Sequence, residues 1–96
     1  MLVVFTDASS TPMPTSEYVA YQNVVTQALV LLRPATESWS VTMAAESAVT
    51  RLDFTRETDA PRSLTVASGD DDQHSQMFRL VCKFVWAYWR QTSVKL

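Results

Sequence analysis

Apolar residues recur at different intervals on the two sides of Pro34, and this change of period most constrains the fold. Before Pro34 they fall every three or four positions, at Tyr18, Tyr21, Val25, Ala28, Leu29 and Leu32. That interval predicts an amphipathic helix, which ends before Pro34 because proline disfavours the α conformation in the residue preceding it. Thr15 or Ser16 is expected as the N-cap, with Glu17 in the first turn, where a negative charge suits the helix dipole.

After Pro34, apolar and polar residues alternate in three segments. The apolar positions are Trp39, Val41 and Met43, then Leu52 and Phe54, then Leu64 and Val66. Alternation is the pattern of half-buried strands, and the short connections predict an antiparallel meander with one polar face. Residues 2–5 form a continuous apolar run rich in β-branched side chains, which predicts a further strand that is buried.

Residues 77–89 are dense in apolar and aromatic side chains, and their pattern fits either a helix or a long strand. Alternation is present at Phe78, Leu80, Cys82, Phe84, Trp86 and Tyr88. The segment is long for a strand and ordinary for a helix. The acidic residues before it, with basic residues following within and after it, also favour a helix. The sequence therefore predicts a single α+β domain over residues 1–96. Its element order is β-α-β-β-β-α, with two helices packed on an antiparallel or mixed sheet.

Part of this order, α-β-β-β-α, resembles that of double-stranded-RNA-binding domains, but the charges differ. Such domains contact phosphate with a lysine-rich start to the second helix, where this chain has Asp70, Asp71 and Asp72. The eight basic residues are scattered, ten residues are acidic, and the pI is near 5.1, whereas nucleic-acid-binding domains often exceed a pI of about 9. We therefore assign no family and predict no direct nucleic-acid binding.

The scarcity of glycine excludes most recognisable ligand loops. Gly69 is the only glycine, although about seven are expected at this length. Phosphate-binding loops, nucleophile elbows and dinucleotide fingerprints need glycine where the backbone turns sharply or approaches a ligand. We predict no cofactor.

Cysteine content and hydropathy indicate the cellular compartment in which we expect this protein to function. Cys82 is the only cysteine, so no internal disulfide can form, which suits a reducing compartment. The apolar run at the N-terminus is too short for a signal peptide, and no apolar stretch approaches the roughly 18 residues of a membrane span. The expectation is a cytoplasmic protein with no membrane partner.

Each residue that suggests catalysis or metal binding has a simpler structural explanation. His74 and Ser75 are adjacent in the sequence, but no nucleophile elbow or oxyanion-hole donor accompanies them. Adjacency alone does not place the two side chains in a catalytic hydrogen bond. Asp70, Asp71 and Asp72 lack calcium-loop spacing and suit helix capping. Cys82 lies in an apolar segment and is predicted to be a core residue. We predict no metal, no catalytic residue and no enzymatic activity.

The aromatic density of the last helix is harder to explain by packing within one molecule. One helix face buries about five or six of these side chains, which leaves a surplus exposed, predicted among Phe78, Val85, Trp86 and Trp89. Trp and Tyr are enriched at interaction hot spots. The leading hypothesis is a non-catalytic protein-interaction module or small subunit that self-associates through this aromatic surface.

Two alternatives stay open. The first is a stoichiometric inhibitor of the immunity, antitoxin or anti-defence kind, which blocks a basic target protein with Asp70, Asp71 and Asp72. Its binding should weaken with salt. The second is an enzyme without a recognisable motif, because convergent active sites leave no local signature.

Overall fold

The computed structural model describes residues 1–67 and 71–94, with the side chains of residues 75–89 in its last helix. The elements are β1 (Leu2–Asp7), α1 (Thr15–Leu32), β2 (Ser38–Ala45), β3 (Val49–Arg56), β4 (Arg62–Ala67) and α2 (Asp71–Val94). The predicted order β-α-β-β-β-α is confirmed, and residues 77–89 are helical. No described helix combines the length and hydropathy needed to cross a membrane.

The four strands form one mixed sheet in the order β1-β2-β3-β4. β1 pairs with β2 in parallel, and the β2–β3 and β3–β4 pairs are antiparallel, so the predicted meander is confirmed. Val41 lies beside Phe5 on one side and Phe54 on the other. This register places the alternating apolar positions of β2, β3 and β4 on one face, together with Val3 and Phe5 of β1.

Both helices pack on that apolar face. Tyr21, Val25 and Leu29 of α1 are buried, as are four residues of α2 at intervals of four, Met77, Val81, Val85 and Trp89. Residues four apart share one side of a helix, so α2 presents one continuous stripe to the core. The opposite face of the sheet carries polar residues, including Ser40 and Ser63, together with Leu2 and Val4 of β1, and neither described helix covers it.

Two local predictions are wrong. Leu2 and Val4 are 61% and 50% exposed, because β1 is an edge strand and the helices cover only one face of the sheet. Neither Thr15 nor Ser16 caps α1. The capping position is Pro14, whose backbone is extended and whose side chain makes no capping hydrogen bond. The Pro14 carbonyl instead accepts the first helical bond, from the Tyr18 N–H at 3.0 Å.

Candidate functional site

The residues predicted as an aromatic surface divide between the core and the exterior of α2. Val85 and Trp89 are 0% and 2% exposed, so the expectation that they line a surface is wrong. They lie on the side of α2 that faces the sheet, where the Trp89 ring meets that of Trp39 edge-on at 4.9 Å between centroids. Trp86 is 50% exposed, and Phe78 is partly buried against the core.

The predicted acidic site cannot be placed. Asp70 lies outside the described residues, and so do the side chains of Asp71, Asp72 and His74. Ser75 is exposed at the border of a groove between the helices. Among the side chains that the structure describes, no three His, Cys, Asp or Glu residues converge as metal ligands.

A groove runs between α1 and α2 on the outer side of the helical layer. A depression of about 420 Å³ is bordered there by Val24, Gln27, Ser75, Phe78 and Arg79. Further along, Arg33 at the end of α1 contacts the backbone of Trp89. Residue numbers rise together on both helices, so α1 and α2 run in the same direction.

Helical spacing places two exposed apolar residues on the groove sides of their helices, beyond the depression and nearer the C-terminal ends. Leu31 follows Gln27 by four residues, and Trp86 follows Phe78 by eight, so each keeps to the groove side of its helix. Cys82 lies four residues after Phe78 and four before Trp86, so it shares their side of α2. Leu31 is 68% exposed and Trp86 is 50% exposed. We call the strip formed by Val24, Leu31, Phe78, Cys82 and Trp86 the helix groove.

Burial sets the chemistry of the thiol in this groove. Cys82 is partly buried and forms no disulfide. Desolvation raises the pKa of the Cys82 thiol above its ordinary value, which lowers its thiolate fraction at neutral pH. The thiolate is the nucleophilic form, so this environment makes Cys82 less reactive than a free thiol.

A buried polar network joins the end of α1 to the end of α2. The side chain of Arg33 is 2% exposed and forms an ion pair with Glu37. Arg33 Nε donates to Glu37 Oε1 at 2.8 Å, and Arg33 Nη1 donates to the Trp89 carbonyl at 2.7 Å. The hydrogen bond from Arg33 holds the pKa of Glu37 below its ordinary value, with smaller contributions from Trp39 and Arg56.

The network continues through β3 and the turn after it. Arg56 Nη1 lies 3.6 Å from Glu37 Oε2, and Arg56 Nη2 lies 2.7 Å from Asp59 Oδ2. The Trp89 indole Nε1 donates to the same Asp59 oxygen at 3.2 Å. The charges of Arg33 and Arg56 are therefore balanced by those of Glu37 and Asp59. Hydrogen bonds also hold Trp89 at its backbone carbonyl and at its indole N–H.

An open cleft of about 460 Å³ lies beside this network. It is lined by Arg56, residues 59–62, Tyr88 and Trp89, and we call it the arginine cleft. The Arg62 guanidinium lies over the Tyr88 ring at 4.7 Å from its centroid and 5.7 Å from that of Trp89. Tyr88 is 50% exposed.

The turn that forms one wall of the arginine cleft has an unusual backbone for its sequence. Glu57 has a φ of 50°, a conformation that glycine adopts more easily. Its N–H donates to the Ser38 carbonyl at 2.9 Å, which holds the turn against β2. The turn therefore presents Asp59 and Arg62 from a fixed backbone.

Sequence reasoning missed the cleft and its network. Arg33 and Glu37 are four residues apart, but Pro34 between them hides the pairing because no helix continues there. Arg56, Asp59 and Arg62 resemble ordinary turn residues in the sequence. Only the register of β2 with β3, which places Trp39 beside Arg56, brings them to the end of α2.

Comparisons with known proteins show similarity of fold. No protein-family model matches this chain, and no curated protein matches it. The solved structure of a ribosomal subunit interface protein from Coxiella burnetii is similar, with a TM-score of 0.53 at 9% identity. The match covers 92% of this chain and 97% of that one.

A second structure, the N-terminal domain of Thermus thermophilus protein Y, matches with a TM-score of 0.46 at 13% identity, over 88% of this chain and 99% of that one. The Coxiella structure has the higher TM-score of the two, 0.53. At 9% identity, that likeness extends to architecture and not to residues of a site. This chain has the α+β fold of the Coxiella ribosomal subunit interface protein.

Proposed function

We propose that this protein is a non-catalytic protein-interaction module that self-associates through the helix groove. The observation that carries the proposal is the exposure of Trp86 beside the groove, 50% in the monomer. Tryptophan is the residue type most enriched at interaction hot spots. Burying a large apolar side chain contributes roughly 1.5–3 kcal/mol, so covering Trp86 and Leu31 in both copies stabilises a dimer appreciably.

The composition of the helix groove suits a second copy of the same chain. Its strip is apolar and uncharged, with Gln27 and Arg79 at the polar border. A two-fold axis presents the same patch from both subunits, so Trp86 of each copy can contact apolar groove residues of the other. Polar residues around an apolar centre are also the usual arrangement of an interface.

Sedimentation equilibrium across a roughly hundredfold concentration range tests self-association. We expect a reversible dimer whose dissociation constant rises at least about tenfold in Trp86→Ala, because each subunit loses a central contact. Leu80→Ala is the matched control on α2. Leu80 is 43% exposed but lies six residues before Trp86 and therefore on another side of the helix.

Adjacent residues of α1 give a second matched pair. Val30 and Leu31 are 62% and 68% exposed, but only Leu31 faces the groove, whereas Val30 lines a depression with Met1 and Arg33. Leu31→Ser should weaken the dimer, and Val30→Ser should leave it intact. A wild-type chain that stays monomeric at every concentration contradicts the proposal, as does equal weakening by both substitutions.

The inhibitor hypothesis remains a proposal with a different signature. An acidic inhibitor acting through Asp70, Asp71 and Asp72 binds a basic target with an affinity that falls steeply with salt. Dimerisation through an uncharged groove depends little on salt. Replacing the three aspartates with asparagine should abolish target binding under the inhibitor hypothesis and leave the dimer unchanged.

A ribosomal partner is a third candidate, suggested by the name of the similar Coxiella protein, a ribosomal subunit interface protein. Of the basic residues with described side chains, Arg33, Arg51 and Arg56 are ion-paired within the chain. Phosphate binding needs basic side chains clustered on one surface. Cosedimentation with ribosomes at physiological salt, unchanged by Trp86→Ala, favours this candidate over the helix groove.

A further inference from the structure

We infer that the arginine cleft binds the carboxylate of a ligand with an apolar neighbouring group, and that Arg62 is the residue that recognises it. The cleft lies on the side of α2 opposite the helix groove, because Tyr88 and Trp86 are two residues apart on the helix. The inference therefore goes beyond self-association and does not depend on it.

Among the described side chains that line the cleft, Arg62 is the cation left to meet a ligand. Arg33 and Arg56 are balanced by Glu37 and Asp59 in the network. Arg62 is exposed, and no carboxylate lies within ion-pair distance of it among the described side chains. A positive site is thus present in a chain whose net charge is −2.

Contact with Tyr88 prepares Arg62 for recognition of a planar anion. Arg62 Cζ lies over the Tyr88 ring, 4.7 Å from its centroid, and among the described residues no hydrogen bond or ion pair occupies the Arg62 N–H donors. Those donors match the two oxygens of a carboxylate, and an arginine held against a ring loses less conformational freedom on binding than a mobile one. The Trp89 ring that lines the cleft is also held in place, because its indole N–H donates a hydrogen bond to Asp59.

The local charge favours a carboxylate over a phosphate. Asp59 also lines the cleft, and its negative charge opposes a second charge on the ligand. A monoanion satisfies Arg62, whereas a phosphate near neutral pH carries up to two charges. Glu57 is not among the residues that line the cleft, and its carboxylate accepts a hydrogen bond from the Ser38 N–H at 3.4 Å.

Size and surface define the rest of the ligand. A volume of about 460 Å³ lies within the range of small-molecule sites, and the half-exposed Tyr88 ring offers an apolar contact. The carboxylate can come from a free organic acid or a peptide terminus, or from an acidic side chain within a protein segment. These sources share one chemistry, and separate probes distinguish them.

A pair of probes of nearly equal shape tests the inference. N-acetyl-phenylalanine carries a carboxylate, and N-acetyl-phenylalaninamide replaces it with a neutral amide. Titration is followed by the NMR shift of the Trp89 indole N–H, assigned with Trp89→Phe. We expect the acid to bind at least about tenfold more tightly than the amide, because bonds between charged partners are the stronger ones. A capped peptide with an internal glutamate then tests the side-chain source.

Arg62→Gln should reduce the affinity for the acid at least about tenfold and leave the weak binding of the amide unchanged. Lys83→Gln removes the same formal charge from an exposed position outside the cleft and should change the affinity for the acid less than about twofold. The inference is overturned if acid and amide bind equally, or if the two substitutions reduce affinity alike. Sedimentation of Arg62→Gln, with an unchanged dimer, shows that the two proposals stand or fall separately.

Discussion

Arg33 donates a hydrogen bond from Nη1 to the backbone carbonyl of Trp89 at 2.7 Å, joining the residue that follows α1 to the last turns of α2. The bond is buried, and the same guanidinium is paired with Glu37. This contact ties the chain just after α1 to α2 beside the arginine cleft, which Trp89 lines.

Replacing Arg33 should destabilise the fold far more than replacing an exposed arginine. Arg33→Met removes the hydrogen bonds that Arg33 donates to the Glu37 carboxylate and the Trp89 carbonyl, and removing one partner of a buried pair costs about 3 kcal/mol. Arg51→Met is the control, because the Arg51 side chain is 47% exposed in its pair with Asp53 and such pairs contribute less than about 1 kcal/mol. Urea denaturation measures both, and equal losses would contradict a structural role for Arg33.

Glu37 should make the protein sensitive to acid. Its pKa is lowered from 4.5 by Arg33, and a carboxyl with a lowered pKa in the folded state stabilises that state above its unfolded pKa. The contribution is lost as the pH falls through the folded pKa. We expect urea midpoints of the wild type to fall below about pH 4.5, and the fall to be smaller in Glu37→Gln. Glu46→Gln, at an exposed turn, should leave the acid sensitivity in place.

The two tryptophans of α2 should respond oppositely to truncation. Trp89→Ala removes a buried ring and should cost about 3–5 kcal/mol, whereas Trp86→Ala should change monomer stability by less than about 0.5 kcal/mol. Trp89→Phe keeps an aromatic ring but loses the N–H that Asp59 accepts, so we expect an intermediate loss. Urea denaturation at low protein concentration separates these effects from dimerisation, and similar losses for both alanine variants would show that the assignment of core and surface is wrong.

The element order could be predicted because each element has its own period. The spacing of three and four around Tyr21 and Val25, and the alternation around Val41, determine local structure without any long-range information. The burial of β1 could not be predicted, because an apolar run does not reveal whether its strand lies at an edge. The same limit applied to α2, since two stripes of similar hydropathy gave no means of deciding whether Trp86 or Trp89 faces the core.

The arginine cleft was beyond prediction for a different reason. Its residues come from β3, the following turn, the start of β4 and the last turns of α2, and only the folded register brings Arg56 and Arg62 to Trp89. Charges in turns also resemble solvated surface residues when read along the chain. Burial and pairing, which distinguish them, are properties of the assembled fold.

The thiol of Cys82 provides a final test, because it lies in the helix groove between Phe78 and Trp86. Its pKa is raised by burial, so alkylation by iodoacetamide near neutral pH should be slower than that of a free thiol. If two copies cover the groove, the rate should fall further as protein concentration rises through the dimer's dissociation constant. Leu31→Ser should remove that dependence on concentration, and Val30→Ser should keep it. A rate that is independent of concentration in a chain that dimerises would mean that the dimer forms elsewhere on the surface.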